Sequence, residues 1–142
     1  MKISARNVFT GKISAIQNGP VSTEVEVTVA GGDKIIAVVT HTSATTLSLA
    51  VGKDVTALVK ASSVLVMTDG AGIRLSARNC LAGTVSKVTK GAVNTEVAIK
   101  LAGGGEIHAI ITHGSEVELG LKEGVPATAV FKAPSVILGV PA

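Results

Sequence analysis

The stretch Val21-Ser22-Thr23-Glu24-Val25-Glu26-Val27-Thr28-Val29-Ala30-Gly31-Gly32-Asp33 decides how this chain folds. Val21, Thr23, Val25, Val27 and Val29 fall on one face, and Ser22, Glu24, Glu26 and Thr28 on the other. Successive strand side chains point to opposite faces, so this alternation marks a half-buried β-strand. Gly31-Gly32-Asp33 reads as a hairpin turn, and the largely apolar residues 34–40 as the returning strand. Upstream, residues 8–17 alternate more weakly, with Gly11 permitting a bend, and end at the turn Asn18-Gly19-Pro20. Downstream, Thr42 to Leu47 breaks the alternation; Ser43 or Thr42 would cap one short helical turn, which Gly52 closes. Residues 54–60 and 62–67 read as two further strands joined tightly at Ala61-Ser62.

This pattern is then repeated. Shifting the chain by 72 positions superposes residues 1–70 on 73–142 with 28 identities and no gap, a fixed-period duplication. Thr23-Glu24-Val25 returns as Thr95-Glu96-Val97, and Ala30-Gly31-Gly32 as Ala102-Gly103-Gly104. The expected organisation is a first domain over 1–67, a Gly-rich linker over 68–72 and a second domain over 73–142. Five strands with a helix between the third and fourth is the order of the OB-fold. The expected class is therefore all-β: two tandem OB-fold-like five-stranded Greek-key barrels, each with a short helix. A half of about 70 residues is close to the lower limit for a self-sufficient core.

Composition narrows the class further. Apolar residues make up 46% of the chain but aromatics only 1%, with Phe9 and Phe131 alone. The core must be aliphatic, and Val, Ile and Thr favour strands. So apolar a small chain is expected to hide surface in a homo-oligomer. The net charge of +3 is mild and comes without a Lys/Arg run. A single cysteine, Cys80, excludes an internal disulfide framework; the repeat aligns it with Val8, a small apolar position. No signal-peptide pattern and no membrane-length apolar run is present, so a cytoplasmic location away from membranes is expected.

Three polar clusters recur against this apolar background. Ser4-Ala5-Arg6-Asn7 returns unchanged as Ser76-Ala77-Arg78-Asn79. Thr40-His41-x-Ser43 returns as Thr112-His113-x-Ser115. Lys60-Ala61-Ser62 returns as Lys132-Ala133, now followed by Pro134. Arg and Lys only donate hydrogen bonds, hydroxyls can donate, and no cluster contains a carboxylate. Such a set suits a fully deprotonated oxyanion, which offers only acceptors. It does not suit a metal cation, which needs Cys, His or carboxylate ligands.

The three clusters, at matching spacing and in two copies, resemble those of the molybdate-binding Mop domains, and the tandem arrangement resembles a molbindin of the di-Mop kind. The resemblance covers nearly the whole chain. It implies an OB-like barrel per repeat, molybdate or tungstate as ligand without a cofactor, and a trimer with anions held between domains. It assigns oxyanion contacts to Ser4, Ala5, Arg6, Asn7, Thr40, Ser43, Lys60, Ala61 and Ser62 in the first repeat. In the second it assigns them to Ser76, Ala77, Arg78, Asn79, Thr112, Ser115, Lys132 and Ala133. Pro134 lacks both the hydroxyl of Ser62 and a backbone N–H, so unequal sites are expected.

Plainer roles stand beside these. Arg6 and Arg78 would pair with surface carboxylates, Thr40 and Ser43 would only cap a helix, and His41 and His113 would be structural or add an anion contact at a subunit junction. The two glycine turns are not phosphate loops, because no helix or Lys-Ser/Thr follows them. No nucleophile–base–orienter set appears, so an enzyme is not expected. Single-stranded nucleic acid is usually held by aromatic stacking, for which two Phe are too few. The expected function is molybdate storage, buffering or homeostasis. The alternatives are an oxyanion-sensing module working with a partner protein, or an OB-fold nucleic-acid binder.

Overall fold

The computed structural model describes residues 1–142. Each repeat builds five strands and one short helix in the expected order. The first contains β1 (Asn7–Asn18), β2 (Ser22–Val29), β3 (Lys34–Thr40), α1 (His41–Thr46), β4 (Asp54–Val59) and β5 (Leu65–Met67). The second contains β6 (Asn79–Lys90), β7 (Asn94–Leu101), β8 (Glu106–Thr112), α2 (His113–Leu119), β9 (Pro126–Phe131) and β10 (Ile137–Gly139). A single 3-10 turn, Ala61–Ser63 or Ala133–Ser135, separates the last two strands of each repeat. The fold is all-β, made of two OB-like five-stranded units with a short helix each.

The sheets are all antiparallel but do not belong to one repeat each. One runs β10-β4-β1-β2-β3 and the other β5-β9-β6-β7-β8. Leu65, Val66 and Met67 pair with Val130, Ala129 and Thr128, while Ile137, Leu138 and Gly139 pair with Leu58, Ala57 and Thr56. The fifth strand of each sheet therefore comes from the other repeat. The ladders leave β3 and β10 as the edges of one sheet and β5 and β8 as those of the other, so the sheets curl without closing completely.

Alternation sets what is buried. Thr23, Val25, Val27 and Val29 face inward, as read from the sequence, whereas Val21 precedes the strand and is exposed. One apolar core of 22 residues, aliphatic but for Phe131, its largest member, spans both repeats. Burying a large apolar side chain contributes about 1.5–3 kcal/mol. A core that crosses the junction makes each repeat depend on the other. Val8 and Cys80 both face solvent.

Two details fix the sheet geometry. A Cβ on Gly11 would lie 2.3 Å from the carbonyl oxygen of Thr28, and one on Gly83 2.2 Å from that of Lys100. Only glycine permits that approach, just before a register shift between Ile13 and Ala15, and between Val85 and Lys87. Of the hydroxyls the sequence offers as helix caps, the structure uses Thr40 and its counterpart Thr112. Thr40, the last residue of β3, accepts from the Ser43 backbone N–H at 3.0 Å, and Thr112 does the same for Ser115 at 3.1 Å. Thr42 and Ser43 are not the caps, because the helix begins at once where the strand stops.

Candidate functional site

The first and third clusters of a repeat lie together. Antiparallel pairing sets Asn7 opposite Val59 and Asn79 opposite Phe131. Arg6 and Lys60 thus leave the sheet at one end, as do Arg78 and Lys132. The 3-10 turn carrying Ala61 and Ser62 packs on β8, and the one carrying Ala133 and Pro134 packs on β3. Ala61 and Ala133 are buried, whereas Ser62 and Pro134 are exposed. Both clusters of one repeat therefore face the outer strand of the other.

Asn7 and Asn79 make that junction. Asn7 Nδ2 donates to the carbonyl of His108 at 2.8 Å, and the His108 N–H donates to Asn7 Oδ1 at 2.7 Å. Asn79 makes the same two bonds with Ile36, both 2.8 Å. Each amide thus imitates a strand partner for an edge that would otherwise offer free backbone groups. Both side chains are buried and their amides are occupied by backbone.

Arg6 and Arg78 cross the same junction. Arg6 Nη2 donates to both oxygens of Glu96 at 2.7 and 2.6 Å, and Arg78 pairs with Glu24. Ser4 and Ser76 are exposed, Ala5 and Ala77 half-buried. Lys60 and Lys132 are exposed and engage no carboxylate. The second cluster is organised around its caps. Thr40 donates its hydroxyl hydrogen to Ser43 Oγ at 2.9 Å, and Thr112 does so to Ser115 at 2.9 Å. His41 and His113 open the two helices and are exposed. Behind His113, Glu116 is buried with Oε1 at 3.4 Å from the imidazole Nδ1; the first repeat has Ala44 there.

Beside each arginine lies a cleft on the outer face of the facing sheet. The Arg6 cleft, about 160 Å³, is lined by Lys87, Thr89, Glu96, Ala98 and His108. Register explains the grouping: Lys87, Ala98 and His108 form one row across β6, β7 and β8, and Thr89 and Glu96 the next. The Arg78 cleft, about 220 Å³, has Ala15, Gln17, Glu24, Glu26 and Ile36 at the corresponding positions. Glu26 is held below the usual carboxylate range, first by the Ser14 hydroxyl at 2.9 Å and then by Lys34 at 3.2 Å. The sequence singled out the arginines but not the residues opposite them. Lys87 and His108 read as ordinary face positions because nothing local ties them to Arg6.

Fold and cluster layout together define a tandem β module whose first and third polar clusters lie where the two repeats meet, while the second stays at the helix caps. The TOBE domain model matches residues 3–66 and again 75–138. The chain belongs to the TOBE-domain family, in its tandem di-Mop, molbindin-type branch. Curated relatives include the molybdenum transport protein ModE of Herbaspirillum seropedicae, 49% identical over 140 residues. Another is the molybdenum-pterin-binding protein MopA of Rhodobacter capsulatus, 45% identical over 141 residues. Both alignments cover 99% of this chain but 52% and 53% of those proteins, so the chain spans about half their length. A solved structure of the cytoplasmic molybdate-binding protein ModG with molybdate bound is 57% identical, with a TM-score of 0.96 over 99% of this chain and 100% of that one.

Proposed function

We propose that this chain is a cytoplasmic molybdate-binding protein that stores or buffers the anion, with tungstate as an alternative ligand. The observation that carries the reading is the similarity to ModG along the full length of both chains. The chemistry agrees with it: three donor-bearing clusters, each present twice, meet the needs of an oxyanion that only accepts. The two repeats, 1–67 and 73–142, are the binding units, and the contacts come from the Ser-Ala-Arg-Asn, Thr-x-x-Ser and Lys-Ala clusters. Selection over sulfate, also a tetrahedral dianion, is made by a site sized for the larger anion.

The functional form is a homo-oligomer, a trimer in this reading. Ile3, Val21, Leu65, Ile73, Val93 and Ile137 are each at least half exposed, which leaves apolar surface for subunit contacts. A second reading, an oxyanion-sensing module acting with a partner, is favoured by the alignment to about half of ModE.

The test is elemental analysis of the purified protein together with its mass in solution, followed by competitive dialysis. Molybdenum or tungsten retained on a trimer, against excess sulfate, is the expected result. A metal-free protein that holds sulfate and molybdate equally would overturn the reading.

A further inference from the structure

The two clefts beside Arg6 and Arg78 occupy equivalent places and have similar volumes, yet they are lined by different charges. The Arg6 cleft brings two cations, Arg6 and Lys87, to one carboxylate, Glu96. The Arg78 cleft is lined by one cation, Arg78, and two carboxylates, Glu24 and Glu26, with Lys34 outside the lining pairing Glu26 at 3.2 Å; no cation there is left without a carboxylate, as Lys87 is. We propose that the Arg6 cleft is a separate anion site, specific to one side of the molecule, that takes a single tetrahedral oxyanion through Lys87, Thr89 and His108. These three residues lie outside the repeated clusters. The inference rests on the oxyanion reading above and extends it to residues that reading does not include.

The geometry supports the assignment in three ways. First, Glu96 is already spent: both oxygens accept from Arg6, and Oε1 also lies 3.3 Å from His108 Nδ1. Its charge is thereby compensated, while Lys87 Nζ and the Thr89 hydroxyl have no protein partner and remain free to donate. Second, the cavity of about 160 Å³ is well below the roughly 300–1,000 Å³ of organic-ligand pockets. It has room for a small inorganic anion and would bury only a small part of a nucleotide or pterin. Third, the register of β6, β7 and β8 holds Lys87 and His108 on either side of Ala98, whose small side chain leaves the floor open. In the other sheet Glu26 fills that floor position with a negative charge, and Ala15 and Ile36 replace the flanking donors. Glu106, one row further along β8, is held by the Ser86 hydroxyl at 2.5 Å and does not line the cleft.

The side chains can be removed without disturbing the junction. Asn7 binds only the backbone of His108, so His108→Ile, which copies the first repeat, keeps both bonds. The experiment is a sodium molybdate titration of the full chain followed by amide NMR, in the wild type, Lys87→Gln and His108→Ile. Molybdate is expected to move the Lys87, Thr89 and His108 amides of the wild type while those of Ala15, Gln17 and Ile36 stay in place. Lys87→Gln is expected to weaken that response about tenfold, the loss typical of one charge-assisted hydrogen bond. The site is overturned if the wild type binds molybdate without moving those amides, or if both variants titrate like the wild type. No molybdate uptake by the wild type at all would instead sink the molybdate reading itself.

Discussion

The Arg6 and Arg78 sides of the molecule share a backbone plan and differ in what hangs from it. Each has a buried Asn closing an edge strand with two bonds and an Arg reaching a Glu of the opposite repeat. Around that common frame, Lys87, Thr89, Ala98 and His108 on one side stand against Ala15, Gln17, Glu26 and Ile36 on the other. The Ser62 and Pro134 difference runs the same way: the hydroxyl sits in the turn packed on β8, and the proline in the turn packed on β3. Duplication kept what holds the two halves together and let the surface between them diverge. Residues that bridge repeats are constrained by two partners at once, whereas cleft residues answer only to solvent and ligand.

The comparison breaks most severely in the core. Val59 and Phe131 are equivalent and both fully buried. Phe131→Ala is expected to cost about 4 kcal/mol in urea unfolding, and Val59→Ala roughly half that. Equal losses would mean that the shared core responds as a symmetric object. The junction should behave symmetrically. Asn7→Ala and Asn79→Ala each strand a backbone N–H and C=O, at a cost of about 2–3 kcal/mol, matched between the two. A large inequality there would show that one edge finds another partner.

Transplanting charge sharpens the contrast at the clefts. Ala15→Lys combined with Glu26→Ala gives the Arg78 cleft the lining charges of the Arg6 cleft and also releases Lys34 from its partner. Calorimetry should then show an added molybdate-binding event, or about a tenfold gain on that side. Unchanged binding would assign the asymmetry to shape. A smaller effect comes from the helix ends. Ser48 holds φ 53° where its counterpart Gly120 holds φ 63°. Left-handed backbone disfavours a side chain, so Ser48→Gly should stabilise by about 1 kcal/mol, read as a higher unfolding midpoint.

The smallest effect is one-sided in pH. Folding lowers the pKa of Glu26 through Ser14 and Lys34, so its ionised form favours the folded state. That contribution is present above the unfolded carboxylate pKa and is lost as pH falls through the lowered folded value. Wild type should therefore exceed Glu26→Gln in urea midpoint at neutral pH and lose the advantage in acid. Ala98 stands at the equivalent position of the second repeat and has nothing to titrate.

Strands and turns were legible because alternation is a local property: Thr23 to Val29 carries its own face assignment. The strand exchange was not legible. Val64-Leu65-Val66 and Val136-Ile137-Leu138 present the same apolar pattern, which fits either sheet equally well. The repeated clusters stood out as polar islands, and two of the three lie at the junction. What Asn7 and Arg6 touch lies about a hundred residues away, on backbone and on Glu96, and no local pattern names those partners. Thr40 was one of several hydroxyls offered as a cap, and only the structure selects it, because it ends a strand and starts a helix with no residue between.

The exchanged strands make the molecule a clasp. A cut between Gly70 and Ala71 would leave two fragments, each still holding an edge of the other's sheet. They could separate only by breaking both ladders and splitting the common core. For the same reason an isolated repeat would own a strand without a sheet and a sheet lacking its last strand. The smallest complete unit is a pair of repeats, whether one chain supplies both or two chains lend them to each other.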